Sequence, residues 1–290
     1  MSKIAIISES CDGCDTCLLA CPKIIYVKKE GSAVPEVVHD ELCGSCGHCV
    51  ALCPHGAITH LDFPQASIRA IDQKILPSAA QIVELLRARR SMRVFADRPV
   101  ERERIERIID GAHLAPTAHN SQSTEFIVVQ ERQVLNQIVD LTARFFAHVM
   151  KLLRNPLIRN FYLLFARNLA ESAIDSMPDF KRIVAAAGEN KDLILHGAPC
   201  LILFHAARNV SFANANANLA LQNATLVSQG LGLGSFYTGY VVVACERDGS
   251  IPRLLSLPNN HQVYAGLALG YPRLQFTNWI QRRPPRIQWM

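Results

Sequence analysis

Cys11-Asp12-Gly13-Cys14-Asp15-Thr16-Cys17-Leu18-Leu19-Ala20-Cys21-Pro22 returns as Cys43-Gly44-Ser45-Cys46-Gly47-His48-Cys49-Val50-Ala51-Leu52-Cys53-Pro54. Both stretches read C-x-x-C-x-x-C-x-x-x-C-P, and each cysteine of the second stands 32 positions after its counterpart. Eight of the ten cysteines are committed to this one pattern. Two-residue spacers let one tight loop offer three thiolates to the corners of an iron–sulfur cube, and a fourth cysteine before proline completes the set. A zinc ribbon uses pairs of C-x-x-C, not triplets followed by Cys-Pro. A disulfide scaffold belongs to a secreted chain. Residues 1–9, with one lysine and a short apolar run, read as a first strand and not as a signal peptide.

The doubled run resembles that of the bacterial two-cluster ferredoxins. The resemblance implies two [4Fe–4S] clusters, with each Cys-Pro cysteine crossing to the other block. One cube then takes Cys11, Cys14, Cys17 and Cys53; the other takes Cys43, Cys46, Cys49 and Cys21.

The rest of the chain is too long to be an appendage. At 290 residues there is room for about two domains. The composition, 49% hydrophobic and 19% charged, is that of an ordinary globular protein. The formal charge of +5 is mildly basic, but no basic stretch is interleaved with aromatics, so no nucleic-acid partner is expected. The most apolar stretch, 198–207, is too short for a bilayer and reads as a buried strand, so no membrane partner is expected either. Reduced thiolates and labile clusters place the protein in the cytoplasm of an anaerobe or a similar low-oxygen setting. The expected division is a two-cluster ferredoxin domain over 1–62, a linker over 63–80 and a larger domain over 81–290.

Apolar spacing predicts helices around Ile82–Leu86 and Ile105–Ala112, and a mostly helical stretch over 142–190 broken at Pro156 and Pro178. A further helix, 216–229, is apolar on most sides and must be covered by core or by a partner subunit. Strands are expected at Val34–Val38, Ala57–Leu61, Phe126–Val129, Leu201–Phe204, Tyr240–Ala244 and Gln262–Leu269. Strands and helices alternate without a strict βαβ rhythm, which predicts an α+β fold.

Four segments of the larger domain belong together. They are Arg89-Arg90-Ser91-Met92-Arg93, Ala115-Pro116-Thr117-Ala118-His119-Asn120-Ser121-Gln122, the glycine-rich Gly230–Gly239, and Arg282-Arg283-Pro284-Pro285. In this order and spacing they resemble the nitroreductase family of FMN-dependent oxidoreductases, over roughly residues 80–290. The whole chain thus looks like a ferredoxin–nitroreductase fusion.

Each segment also has a physical reason. FMN carries a dianionic phosphate, and arginine forks match phosphate oxygens bidentately. Arg89, Arg90, Ser91 and Arg93, with Arg282 or Arg283, would make such a clamp. The amides of Asn120 and Gln122, in a loop opened by Pro116 and Thr117, both donate and accept, as the pyrimidine edge of a flavin requires. Gly230, Gly232 and Gly234 alternate and follow a helix, so they are not a dinucleotide-binding G-x-G-x-x-G. The resemblance puts Tyr237 and the Thr238–Gly239 amides near the flavin N5. Two departures touch the acceptor side: Ser123-Thr124 stands where family members have Pro-Trp, and Thr238 where many have glutamate. His113, His119, His196 and His205 show no paired ligand spacing and are assigned no metal; Cys200 and Cys245 are given structural roles, Cys245 in a loop.

A cluster passes single electrons, and a flavin converts them to pairs. The expected function is therefore reduction of an organic acceptor, such as a nitroaromatic or quinone, with electrons from a ferredoxin-like donor through clusters and FMN. The alternatives are NAD(P)H reducing the flavin with electrons leaving through the clusters, and a redox sensor or storage module without turnover. No catalytic acid or base is assigned. The resemblance implies a homodimer with FMN at the subunit interface.

Overall fold

The computed structural model describes residues 2–290. Its contacts divide the chain into two compact units. The first runs to Pro77 and also takes in Thr117–Ser121; the second holds Ser78–Pro116 and Gln122–Met290.

The first unit is built of short pieces: β1 (Ile4–Ile6), α1 (Thr16–Ala20), β2 (Tyr26–Val27), β3 (Glu36–Val37), α2 (His48–Leu52) and β4 (Ile58–His60). β1 pairs antiparallel with β4, Ile4 opposite His60, and β2 with β3, Tyr26 opposite Val37. The sequence repeat is also a backbone repeat. α1 starts after Asp15 at φ 59° and α2 after Gly47 at φ 74°, equivalent positions of the two blocks held in the left-handed region. Ile4, Ile25, Tyr26, Val50 and Ile58 form a small core, and Cys17, Cys21, Cys43 and Cys53 pack against it beside the buried Cys49. So small a core needs covalent or metal support. Phe63 and Ile68 join it, so the first part of the stretch expected as linker folds with this unit.

The second unit contains α3 (Ala79–Ala88), α4 (Arg102–His113), β5 (Glu125–Val129), α5 (Arg132–Arg154), α6 (Pro156–Phe165), α7 (Arg167–Asp175), α8 (Met177–Gly188), β6 (Cys200–Ala207), α9 (Ala213–Gly230), β7 (Gly234–Tyr237), α10 (Gly239–Arg247), α11 (Ser250–Leu254) and β8 (His261–Gly270). Ser78 and Gln81 cap α3 reciprocally: Gln81 N–H donates to Ser78 Oγ at 3.3 Å and Ser78 N–H to Gln81 Oε1 at 2.8 Å. The sheet order is β5-β6-β8-β7, with every pair antiparallel.

Helices cover both faces of the sheet. On one face Val129, Leu201, Leu203 and Val263 meet Leu135 and Ile138 of α5, Ile183 of α8 and Val241 of α10. On the other, Ile202, Phe204, Ala265 and Leu267 meet Ile105 and Ile108 of α4 and Ala217, Ala220 and Ala224 of α9. Covering both faces explains why β6 reads as an unbroken apolar run from Cys200 to Phe204. The α+β class is as expected. It also answers what covers 216–229: the small residues of α9 lie on their own sheet.

Two expectations are corrected. Tyr240–Ala244 is the first part of α10, not a strand; its β-branched run suits a strand. Val241, Val242, Ala244 and Cys245 are buried at helical spacing, and that burial outweighs the local preference. Cys245 is accordingly a buried helix residue and not a loop residue. The expected breaks at Pro156 and Pro178 are present: α5 ends at Arg154 and α7 at Asp175, and each proline falls in the first turn of the next helix, where it lacks no needed donor. No helix among the described residues is long and apolar enough to cross a membrane.

Candidate functional site

In the first unit the eight motif cysteines are all free thiols. Backbone and side-chain donors already point at their sulfurs. Ser45 N–H donates to Cys43 Sγ at 3.4 Å, Ala57 N–H to Cys53 Sγ at 3.2 Å, and Thr16 Oγ1 to Cys14 Sγ at 3.4 Å. His60 Nε2 lies 3.4 Å from Cys43 Sγ. The Tyr26 hydroxyl is buried beside Cys49 without a hydrogen bond of regular geometry, and burial followed by Cys49 pushes its pKa up. A buried donor among thiols, with amides aimed at sulfur, fits a sulfur-rich cluster, whose potential such hydrogen bonds tune. His60 and Tyr26 were not legible beforehand, since neither belongs to the cysteine spacing.

In the second unit the arginine segment is held from both sides. Ser91 bridges Ser235, and Met92 N–H donates to Ser235 O at 3.0 Å, so the segment runs beside β7. This approach requires Gly234, because a Cβ there would lie 2.5 Å from Met92 Cγ. On the other side Ala96 N–H donates to Tyr271 O at 2.8 Å and Arg273 N–H to Val94 O at 3.0 Å. The C-terminal stretch then passes α3 and the residues that follow it, where Arg87 stacks 4.6 Å over Trp279 and Arg90 5.6 Å over Phe276.

The result is a cavity of about 750 Å³ whose wall includes Arg89, Arg90, Ser91, Arg93 and Arg282. Residues from opposite ends of this unit are thereby brought together. Arg283 is exposed and does not line it. Arg93 also lines a second cavity of about 430 Å³ with Tyr237, Thr238, Gly239, Phe180 and His196. Burial lowers the His196 pKa, with Arg93 acting in the same direction and Asp192 against it; burial raises that of Tyr237.

The Thr238 N–H is already committed to Gly266 O at 2.9 Å, so of the two amides expected near a flavin only that of Gly239 stands clear of the sheet. Gly239 opens α10, where a helix leaves its first N–H groups without intrahelical partners. Thr238 Oγ1 is buried with no partner at the edge of this cavity. Unmet hydrogen-bonding capacity next to a cationic wall fits a polar, anionic ligand such as FMN.

The Asn–Gln loop is divided. Pro116 and Gln122 belong to the second unit, while Thr117 and Asn120 belong to the first, where Asn120 Nδ2 donates to Ser45 O at 2.6 Å. His119, Asn120 and Gln122 hold left-handed backbones, with φ of 57°, 51° and 46°. Such conformations cluster at functional positions. Phe276 and Trp279 belong to no motif of the sequence, though their place just before Arg282 is a usable signal.

Residues 86–271 match the model of the Nitroreductase family, and residues 10–58 that of the 4Fe-4S dicluster domain. The chain is 27% identical over 196 residues to an FMN reductase [NAD(P)H] of Bacillus subtilis, a match covering 66% of each chain. It is 37% identical over 57 residues to one of the subunits of a tetrathionate reductase of Archaeoglobus fulgidus, covering 19% of this chain and 27% of that one. Among solved structures it resembles a nitroreductase with bound FMN from Bacteroides fragilis, with a TM-score of 0.54 at 18% identity over 72% of this chain and 99% of the other.

Proposed function

The chain belongs to the nitroreductase family of oxidoreductases and carries an N-terminal 4Fe–4S dicluster ferredoxin domain, and from this we propose that it reduces an organic acceptor, such as a nitroaromatic or quinone, with electrons from a low-potential, ferredoxin-like donor. The observation that carries the reading is the cavity that gathers Arg89, Arg90, Ser91, Arg93 and Arg282 in a chain that also bears eight free cluster-motif cysteines. Bound clusters would supply one-electron transfer, and bound FMN the conversion of single electrons to pairs.

The residues have distinct tasks in this reading. The arginines and Ser91 hold the FMN phosphate. Pro116 and Gln122 would hold the pyrimidine edge. Tyr237 and the Gly239 amide, which line the smaller cavity at the start of α10, would offer contacts to the ring when FMN is bound. The eight cysteines hold the clusters in the crossed sets given above. His60 tunes one of them through Cys43. The cavity would position an acceptor for bound FMN to act on, with no side chain required as acid or base.

The chain acts as a homodimer in the reducing cytoplasm. Exposed apolar residues on α6 (Leu157, Phe161, Leu164 and Phe165) and on the C-terminal stretch (Trp279, Ile280 and Trp289) support the dimer. A second reading, in which NAD(P)H feeds the flavin and the clusters export electrons, draws support from the name of the Bacillus relative.

An anaerobic absorbance experiment separates the two. A flavin band bleached by reduced ferredoxin, and indifferent to NADH and NADPH, supports the first reading. Rapid bleaching by a nicotinamide supports the second, and a protein that holds clusters but takes up no flavin overturns both.

A further inference from the structure

We propose that Glu125, His205 and His261 form a binding site for a divalent transition ion of the zinc class, on the sheet of the second unit and outside both cavities described above. One donor atom from each of the three lies within 4.8 Å of the others. His205 Nδ1 and His261 Nδ1 are 3.0 Å apart, while the other nitrogen of the His261 ring, Nε2, is the one 4.0 Å from Glu125 Oε1. Two nitrogens bound to one tetrahedral zinc at its usual bond lengths stand about 3.3 Å apart. The two nitrogens therefore need to separate by only tenths of an ångström, with the rings turning so that both lone pairs converge on the ion.

The strand register builds the cluster. Glu125 of β5 lies opposite His205 of β6, which places both side chains on one face. On the other side of β6 the pairing runs regularly to Phe204 opposite Ala265 and then shifts by one residue, so that His205 faces Val263 and Tyr264 is skipped. His261, two positions before Val263, shares that face. Without the shift His205 would face Tyr264, and His261 would point to the other side of the sheet. Such shifts recur where a side chain must be re-aimed.

The chemistry of the set is that of zinc. Two imidazoles and one carboxylate suit a borderline divalent ion and not calcium or magnesium, which take oxygen ligands. His205 is buried, at 4% exposure, and Glu125 is exposed, so the fourth position opens to solvent and takes water. The ion would tie together β5, β6 and β8. The competing arrangement for the same atoms is a simple hydrogen bond between two neutral imidazoles.

The test uses the full chain with clusters and flavin loaded, dialysed anaerobically against buffered sub-micromolar Zn²⁺. Bound zinc is counted by mass spectrometry, and its ligands are read from the zinc X-ray absorption edge, which the cluster iron does not obscure. One zinc per chain is expected, with imidazole and oxygen scatterers and no sulfur. Glu125→Gln, on an exposed residue, should weaken binding by about tenfold or more, since even outer-sphere changes cost ten- to hundredfold. His261→Gln should abolish it while flavin and iron contents stay unchanged. No retained zinc, zinc with sulfur neighbours, or zinc retained equally by His261→Gln would overturn the proposal.

Discussion

His60 donates its Nε2–H to Cys43 Sγ across 3.4 Å, because the Asp62 N–H occupies Nδ1 at 3.0 Å and so fixes the ring tautomer. Burial lowers the His60 pKa and keeps the ring neutral, against the opposing pull of Asp62. A donor on a ligand sulfur stabilises the reduced, more negative cluster and raises its potential. If that bond strengthens by about 1 kcal/mol on reduction, a one-electron couple rises by about 40 mV. His60→Ala should therefore move one of the two cluster potentials down by about that amount and leave the other in place. An anaerobic redox titration followed by electron paramagnetic resonance would show it.

Arg93 lines both the 750 Å³ and the 430 Å³ cavity, so its removal should cost flavin affinity more than the removal of Arg283, which lines neither. A charge-assisted hydrogen bond contributes about 1.5–3 kcal/mol. Arg93→Ala should thus weaken FMN binding by about ten- to hundredfold, and Arg283→Ala by much less. Fluorescence titration of the apoprotein with FMN compares them. Equal effects would remove Arg93 from the assigned site.

Gly234 admits Met92, whose Cγ would stand 2.5 Å from an added Cβ. Gly234→Ala should destabilise the second unit by about 1–3 kcal/mol through overpacking. Because Met92 lies between Ser91 and Arg93, the same change should also lower flavin content. Urea unfolding read by tryptophan fluorescence, with FMN content measured in parallel, tests both parts. A second change, Met92→Ala, should restore part of the loss.

Glu101 accepts hydrogen bonds from the Tyr271 hydroxyl and, at 2.6 Å, from Arg98; Tyr271 first, then the backbone and Arg98, lower its pKa to about 2. A depressed carboxylate adds stability that is complete above its ordinary range near 4.5 and is lost as pH falls through about 2. The Tm difference between the native chain and Glu101→Gln should be flat from neutral pH to about 5 and shrink below that. A difference that grows on acidification would contradict the assignment. The carboxylate is exposed, so the effect should also fade with salt.

Burial pushes the thiols of Cys200 and Cys245 up to about 12, so both stay protonated at neutral pH. With the clusters loaded, iodoacetamide near pH 8 should leave both unmodified, because the thiolate is the reactive form. Peptide mass spectrometry before and after denaturation gives the comparison.

The cluster unit was the most legible part of the chain. Its ligand loops depend on spacing along a few residues, and the left-handed starts at Asp15 and Gly47 repeat at the same 32-residue offset as the cysteines. The α+β class and β5, β6 and β8 followed from apolar runs whose burial agreed with their local preference. Tyr240–Ala244 failed because local preference and burial disagreed there. Its β-branched residues favoured a strand, while packing beneath the sheet required a helix.

The sequence alone determined which chemical groups are present and in what local order: two thiolate blocks, an arginine cluster on each side of the second unit, and small residues along α9. Those features are written in covalent spacing. Only the tertiary structure decided which distant groups meet. Arg93 and Arg282 share one cavity because Gly234 lets the 91–93 segment approach β7 and Val94–Ala96 pairs with Tyr271–Arg273. Glu125, His205 and His261 share one face because β8 skips Tyr264 against β6. A strand alternates its side chains every residue, so a single skipped residue reverses what faces what, and that choice rests on the whole sheet.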